Sequence, residues 1–222
     1  MHVAYNLLHL VPGETGGAEV YARRLLPALR EADPELAMTL FLGGAAAGEG
    51  WGEGVDVVPL RFDPRSRVRR VLAEQTLLTT ALDDLGHIDV WMNNAGLGGN
   101  GLVTDLTDEQ WAKVLDVTLT GTFRCVRAAL PHMYERGQGA IVNNASVLGW
   151  RAQERQAHYA AAKAGVMALT RCAAIEAAEH GVRINAVAPS AIPSERHSRR
   201  TANQRRPAPG VTLVRIGRAQ AA

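Results

Sequence analysis

Cysteine is scarce in this chain. Only Cys125 and Cys172 occur among 222 residues, each alone on a helix-like segment, so the sequence offers neither a disulfide framework nor a metal knuckle. Strong net charge is also missing, since 24 basic and 22 acidic side chains leave a formal +2, which nominates neither nucleic acid nor an anionic surface as a partner. No apolar run approaches the roughly 18 residues of a membrane span. The apolar opening, residues 1–11, lacks a basic leader and a small-residue cleavage site, and reads as a strand rather than a signal peptide. A protein of a reducing, cytoplasmic compartment, without membrane or nucleic-acid partners, is the expectation.

What is present is apolar material in strand-length and helix-length pieces. With 47% hydrophobic and 21% charged residues, the chain has the composition of an ordinary globular protein, and its length suits one domain or one domain with an appendage. Strand candidates fall at 2–10, 37–42, 55–60, 87–92, 140–145 and 182–188, and helix candidates at 19–31, 66–85, 108–130 and 158–180. This alternation predicts an α/β fold, a Rossmann-like three-layer arrangement around a parallel sheet. Thr107 and Gln110 form a capping-box pattern before Trp111, Pro131 stands after the third helix candidate, and Gly181 stands just past the last. From residue 194 onward arginines are scattered among Pro, Ser and Gln, and a solvated tail with one short strand at 211–216 is expected.

Tyr159 and Lys163 lie four positions apart in the helical run HYAAAKAGVMALTRC, which places both on one helix face. A phenol titrates near pH 10, too high for acid–base work at neutrality, and a neighbouring ammonium would favour the phenolate. Ser146 ends the strand IVNNAS thirteen positions before Tyr159, and Asn93, Asn94, Ala95 and Gly96 end the strand before it. The carboxyl ends of strands are where open α/β sheets place their ligands.

NNAG at 93–96, the serine of NNASVLGW, YAAAK at 159–163 and RINAVAPS together resemble the short-chain dehydrogenase/reductase family over about residues 84–191. The run NNASVLGWRAQ to HYAAAKAGVMALTRC is similar to family reductases acting on CoA-linked ketones. The resemblance implies a carbonyl or alcohol substrate, NAD or NADP as cofactor, and a homo-oligomer built through the two long helices. It also implies roles: Tyr159 as general acid/base, Ser146 on the substrate oxygen, and Lys163 on the tyrosine and the nicotinamide ribose. Asn93, Ala95, Gly96 and Pro189 would flank the cofactor. Thr118 stands where the family has a catalytic asparagine, and the glycine customary after Pro189 is replaced by Ser190.

The family's TGxxxGxG turn after the first strand is missing. The sequence there, VPGETGGAEVYARRLLPAL, resembles the opening of group-one glycosyltransferases over about residues 1–78, with Gly16, Gly17 and Glu19 in the donor loop. A literal GxGxxG at Gly96, Gly98 and Gly101 follows the fourth strand candidate, and no helix begins until Asp108, so it reads as a flexible glycine loop rather than a phosphate cradle. The expected organisation is therefore hybrid or truncated: 1–80 a glycosyltransferase-like half, 81–193 a dehydrogenase-like catalytic half, and 194–222 a basic tail. The readings that compete with an oxidoreductase are a glycosyltransferase fragment and a non-catalytic Rossmann-like remnant.

Overall fold

A computed structural model describes residues 1–12, 17–60, 85–190 and 211–214. Strands β1 (His2–Leu7), β2 (Ala37–Gly43), β3 (Val55–Leu60), β4 (Val90–Asn93), β5 (Gly139–Asn144) and β6 (Val182–Pro189) pair in parallel, and β7 (Val211–Val214) closes the edge antiparallel. The order β3-β2-β1-β4-β5-β6-β7 is that of a doubly wound sheet, reversing direction between β1 and β4. The Rossmann-like reading holds, with one antiparallel strand added where the tail was expected to supply a short one.

Alternation along each strand feeds two cores. Ala4, Phe41, Trp91, Ile141 and Ile184 point to one face, where Cys125, Val126, Ala129, Met133, Ala173 and Ala177 cover them. Val3, Tyr5, Leu7, Met38, Leu40 and Leu42 point to the other, beneath Ala22 and Leu26 of helix α1 (Gly17–Ala32). Both faces being covered explains why β1 and β2 are apolar nearly throughout.

The third helix candidate proves longer and less regular than its apolar spacing indicates. It runs as α2 (Asp108–Leu115), a π-helical turn (Asp116–Thr120) and α3 (Gly121–Arg136). Pro131 therefore lies inside α3 instead of ending it, and the helix stops at Gly137, whose φ of 65° gives the left-handed cap. Buried Met133 explains the extension, because the last turn still has apolar surface to cover. The Thr107–Gln110 capping box forms as expected. Helix α4 (Ala157–Ala178) is alanine-rich, the strongest helix-forming composition, and buries Ala162, Val166, Thr170, Ala173 and Ala177 along one stripe.

The predicted helix at 66–85 lies almost wholly outside the described residues, as does most of the tail and Gly16 of the glycine-rich segment. Gly17 opens α1. No helix among the described residues is long and apolar enough to cross a membrane, and no cluster of His, Cys, Asp or Glu among them could hold a metal ion.

Candidate active site

The ends of β4 and β5 and the first two turns of α4 meet beside the switch point of the sheet. Lys163 is buried at 2% exposure, and its Nζ donates to the main-chain oxygen of Asn144 over 2.5 Å. Nζ also lies 5.7 Å from the centroid of the Tyr159 ring. Ser146, buried at the strand's end, caps a short 3-10 turn (Val147–Gly149) by accepting from the Leu148 N–H and also hydrogen-bonds Tyr159. The phenol, the ammonium and the hydroxyl are thus gathered as their spacing predicted.

Their electrostatics differ from the expectation. Burial pushes the Tyr159 phenol above its ordinary pKa, and the hydrogen bond with Ser146 pulls it only partly back. Burial also brings the Lys163 ammonium down to about 7. Burial thus outweighs the one hydrogen bond that favours the phenolate, and the phenol lies above rather than below its ordinary value.

Asn93, Ala95 and Gly96 lie at the end of β4 as anticipated. A Cβ on Gly96 would come within 3.0 Å of Lys163 Nζ, so the glycine keeps that approach open. Asn93 faces inward and belongs to a buried polar chain. Its Oδ1 accepts from Trp91 Nε1 (2.7 Å) and Asn6 Nδ2 (3.4 Å), and its Nδ2 donates to Asn143 Oδ1 (2.9 Å). Asn143 in turn donates to Thr170 on α4 (3.0 Å). Asn93 is therefore a brace beneath the site. Beside the site, the Asn144 side-chain amide donates to Asn94 Oδ1, while Asn144 Oδ1 is buried with no partner among the described residues.

Thr118 is fully buried in the π-helical turn, and its hydroxyl accepts from the Leu97 N–H at 3.0 Å. Single π turns recur at functional sites because they re-aim side chains within a helix. This one is clasped by the Asp116–Arg124 ion pair (3.3 Å) and packs Leu119 against Gly165, where a Cβ would come within 2.6 Å. Pro189, the last residue of β6, is buried and pairs with Val211. Sequence reasoning missed Asn143, Asn144, His158 and Gly99. The residue types were visible, but their partners lie tens of positions away.

A doubly wound sheet with Ser146 at the end of β5 and Tyr159 and Lys163 on the first turns of α4 defines a Rossmann-like α/β protein with polar side chains gathered beside its switch point. The sequence profile for short chain dehydrogenase matches residues 49–205, and the chain belongs to that family. It is 50% identical over 171 residues to the (5R,7aS)-5-hydroxy-7a-methyl-1-oxo-2,3,5,6,7,7a-hexahydro-1H-indene-carboxyl-CoA reductase of Mycobacterium tuberculosis, covering 67% of this chain and 65% of that protein. It is 39% identical over 121 residues to the 3-oxoacyl-[acyl-carrier-protein] reductase FabG of Staphylococcus aureus, covering 54% of this chain and 49% of that protein. The chain thus spans about half to two thirds of the length of these relatives. A solved short chain dehydrogenase from Mycobacterium smegmatis superposes with a TM-score of 0.64 at 43% identity, covering 85% of this chain and 76% of that one. An NAD+-bound xylitol dehydrogenase does so with a TM-score of 0.71 at 27% identity, covering 91% and 75%. No glycosyltransferase is among these matches, and nothing in them supports the resemblance drawn for residues 1–78.

Proposed function

We propose that the chain is an NAD- or NADP-dependent oxidoreductase that interconverts a carbonyl and an alcohol on a small molecule of the 3-oxoacyl or CoA-linked ketone class. The observation that carries this reading is the convergence of Ser146, Tyr159 and Lys163 at one sheet edge. The reductase activities for which the two relatives are named support the substrate class.

The residues at the strand ends fit the nicotinamide end of a dinucleotide on two counts. Gly96 leaves open a space that a Cβ would fill against Lys163 Nζ, and the buried Asn144 Oδ1 is an acceptor still without a partner among the described residues. Lys163, Asn93, Ala95, Gly96, Tyr159 and Pro189 form the cofactor-side set, Asn93 acting as a brace. The cofactor, when bound, supplies the hydride that a carbonyl carbon accepts. Tyr159 delivers the proton to the carbonyl oxygen, a transfer for which a phenol held protonated by burial is suited. Ser146 holds that oxygen, and Thr118 holds the strand-end loop through Leu97.

In this reading the catalytic half falls within residues 81–193, and β1, β2, β3 and β7 complete its sheet. Half-exposed Trp111 and Phe123 on α2 and α3 favour a homo-oligomer, and a cytoplasmic setting suits Cys125 and Cys172, which are not joined to each other by a disulfide. Titration of the purified protein with NADPH, NADH and a nucleotide sugar, followed by nicotinamide and tryptophan fluorescence, tests the reading. A reduced dinucleotide should bind and be oxidised on addition of acetoacetyl-CoA. Binding of the sugar nucleotide alone, or of none of the three, overturns it.

A further inference from the structure

The residues leading into Tyr159 reach back to a single glycine-rich stretch. Arg155 takes a left-handed backbone conformation, φ 64°, unusual for a side chain of its kind, and its carbonyl accepts from the Gly101 N–H at 3.1 Å. Gln156 Nε2 donates to the Gly99 carbonyl at 2.5 Å. His158 is buried at 2% exposure, and a Cβ on Gly99 would fall 1.9 Å from its Nε2. A backbone carbonyl, a side-chain amide and an imidazole ring, from three of the four residues before the catalytic phenol, thus converge on Gly99 and Gly101.

The imidazole is not simply core filler. Its Nδ1 is buried with no partner among the described residues, a penalty that an apolar side chain of the same bulk would avoid. Burial also holds its pKa below the usual histidine value, so the ring packs in its neutral form. On the other side of the contact, Gly99 is small because the ring occupies the place of its side chain. The stretch begins at Gly96 beside Lys163 and leads to Leu102 and Val103, which expose apolar side chains. It therefore runs from Lys163 to the residues just before Tyr159, and what the sequence suggested was a flexible glycine loop is tied at both Gly99 and Gly101.

We propose that His158 is a positioning residue which, matched to Gly99, docks residues 98–101 on the start of α4 and makes them a fixed wall on the ketone side of the site. The pair is then specificity-determining: it acts on how the ketone is held and leaves proton transfer to Tyr159. This inference rests on the oxidoreductase reading for its substrate and on the contacts alone for its docking.

Two measurements on the full chain test it. In the first, amide hydrogen exchange is followed at Gly101 in the wild type, His158→Ala and His158→Gln, alongside steady-state kinetics with NADPH and acetoacetyl-CoA. His158→Ala should speed Gly101 exchange by about tenfold or more, as local opening loses its restraint. It should also raise KM for acetoacetyl-CoA by about fivefold or more with a smaller change in kcat. His158→Gln, which can again place a polar group near Gly99, should recover much of both. Unchanged exchange overturns the docking, and faster exchange with an unchanged KM overturns the wall. If the wild type turns over no ketone, the oxidoreductase reading fails, and exchange alone decides the docking. The second measurement is a double-mutant cycle read by urea unfolding. Gly99→Ala should be strongly destabilising with His158 present and nearly silent in the His158→Ala background. Equal effects in both backgrounds would refute the match.

Discussion

Lys163 Nζ and the main-chain oxygen of Asn144 are 2.5 Å apart in a place shielded from solvent. That shielding fixes a pH dependence. The folded lysine titrates at about 7, against 10.5 for the ordinary side chain, so between these values the unfolded chain binds the extra proton. Stability contributed by this group therefore rises as pH increases from 7 toward 10, by up to about 1.4 kcal/mol per pH unit. Urea unfolding at pH 7, 8 and 9 should show the rise, and Lys163→Met should flatten it. A slope of the opposite sign would mean that the ammonium is stabilised in the fold.

Tyr159→Phe removes the proposed proton donor and leaves the ring in place. Ketone reduction should fall by about 100-fold or more, with dinucleotide affinity changed only a few-fold. Fluorescence titration and initial rates measure the two separately, and a rate near that of the wild type would remove Tyr159 from the mechanism.

Ser146→Ala takes away the hydrogen bond that partly offsets the burial of the phenol. The alkaline limb of the pH profile for kcat/KM should move upward, because the phenol then stays protonated to higher pH. The rate at neutral pH should drop by about 100-fold as the substrate oxygen loses a donor. A fall in rate with an unmoved alkaline limb would separate Ser146 from the titration of Tyr159.

Thr118 accepts from the Leu97 N–H in the buried π turn. Thr118→Val, nearly equal in shape, should lose about 1–3 kcal/mol by leaving that N–H unpaired, while Thr118→Ser should keep most of it. Chemical denaturation of the two variants side by side makes the comparison.

Much of the sheet was legible in the sequence. The strand at 55–60 was placed correctly, and all five others were found to within three residues at each end, because apolar runs flanked by turn residues have few alternatives. The fourth began late, at Val90, since Asp89 is engaged by the His2 N–H and Arg136 at the strand's entry. The Ser146, Tyr159 and Lys163 cluster was legible because strand-end and helix-face rules act locally. The π turn was not, since its β-branched Val117, Thr118 and Thr120 sit within an otherwise helical pattern and the contacts that hold it, Thr118 to Leu97 and Leu119 against Gly165, come from distant parts of the chain. The docked glycine stretch was equally hidden: Gly99 and His158 are far apart in the chain, and nothing in either local pattern names the other.

The amide chain from Asn6 through Asn93 and Asn143 to Thr170 links the opening strand to α4, the helix that carries Tyr159. Asn93→Ala would cut it, leaving Trp91 Nε1 and Asn143 Oδ1 each without the partner it now has, at a cost of about 3 kcal/mol. The first and last thirds of the described chain are thereby coupled through a buried seam that neither can leave without stranding the other's polar groups. On heating, they should melt together as one unit, and circular dichroism should superimpose on tryptophan fluorescence rather than show the opening strand departing first.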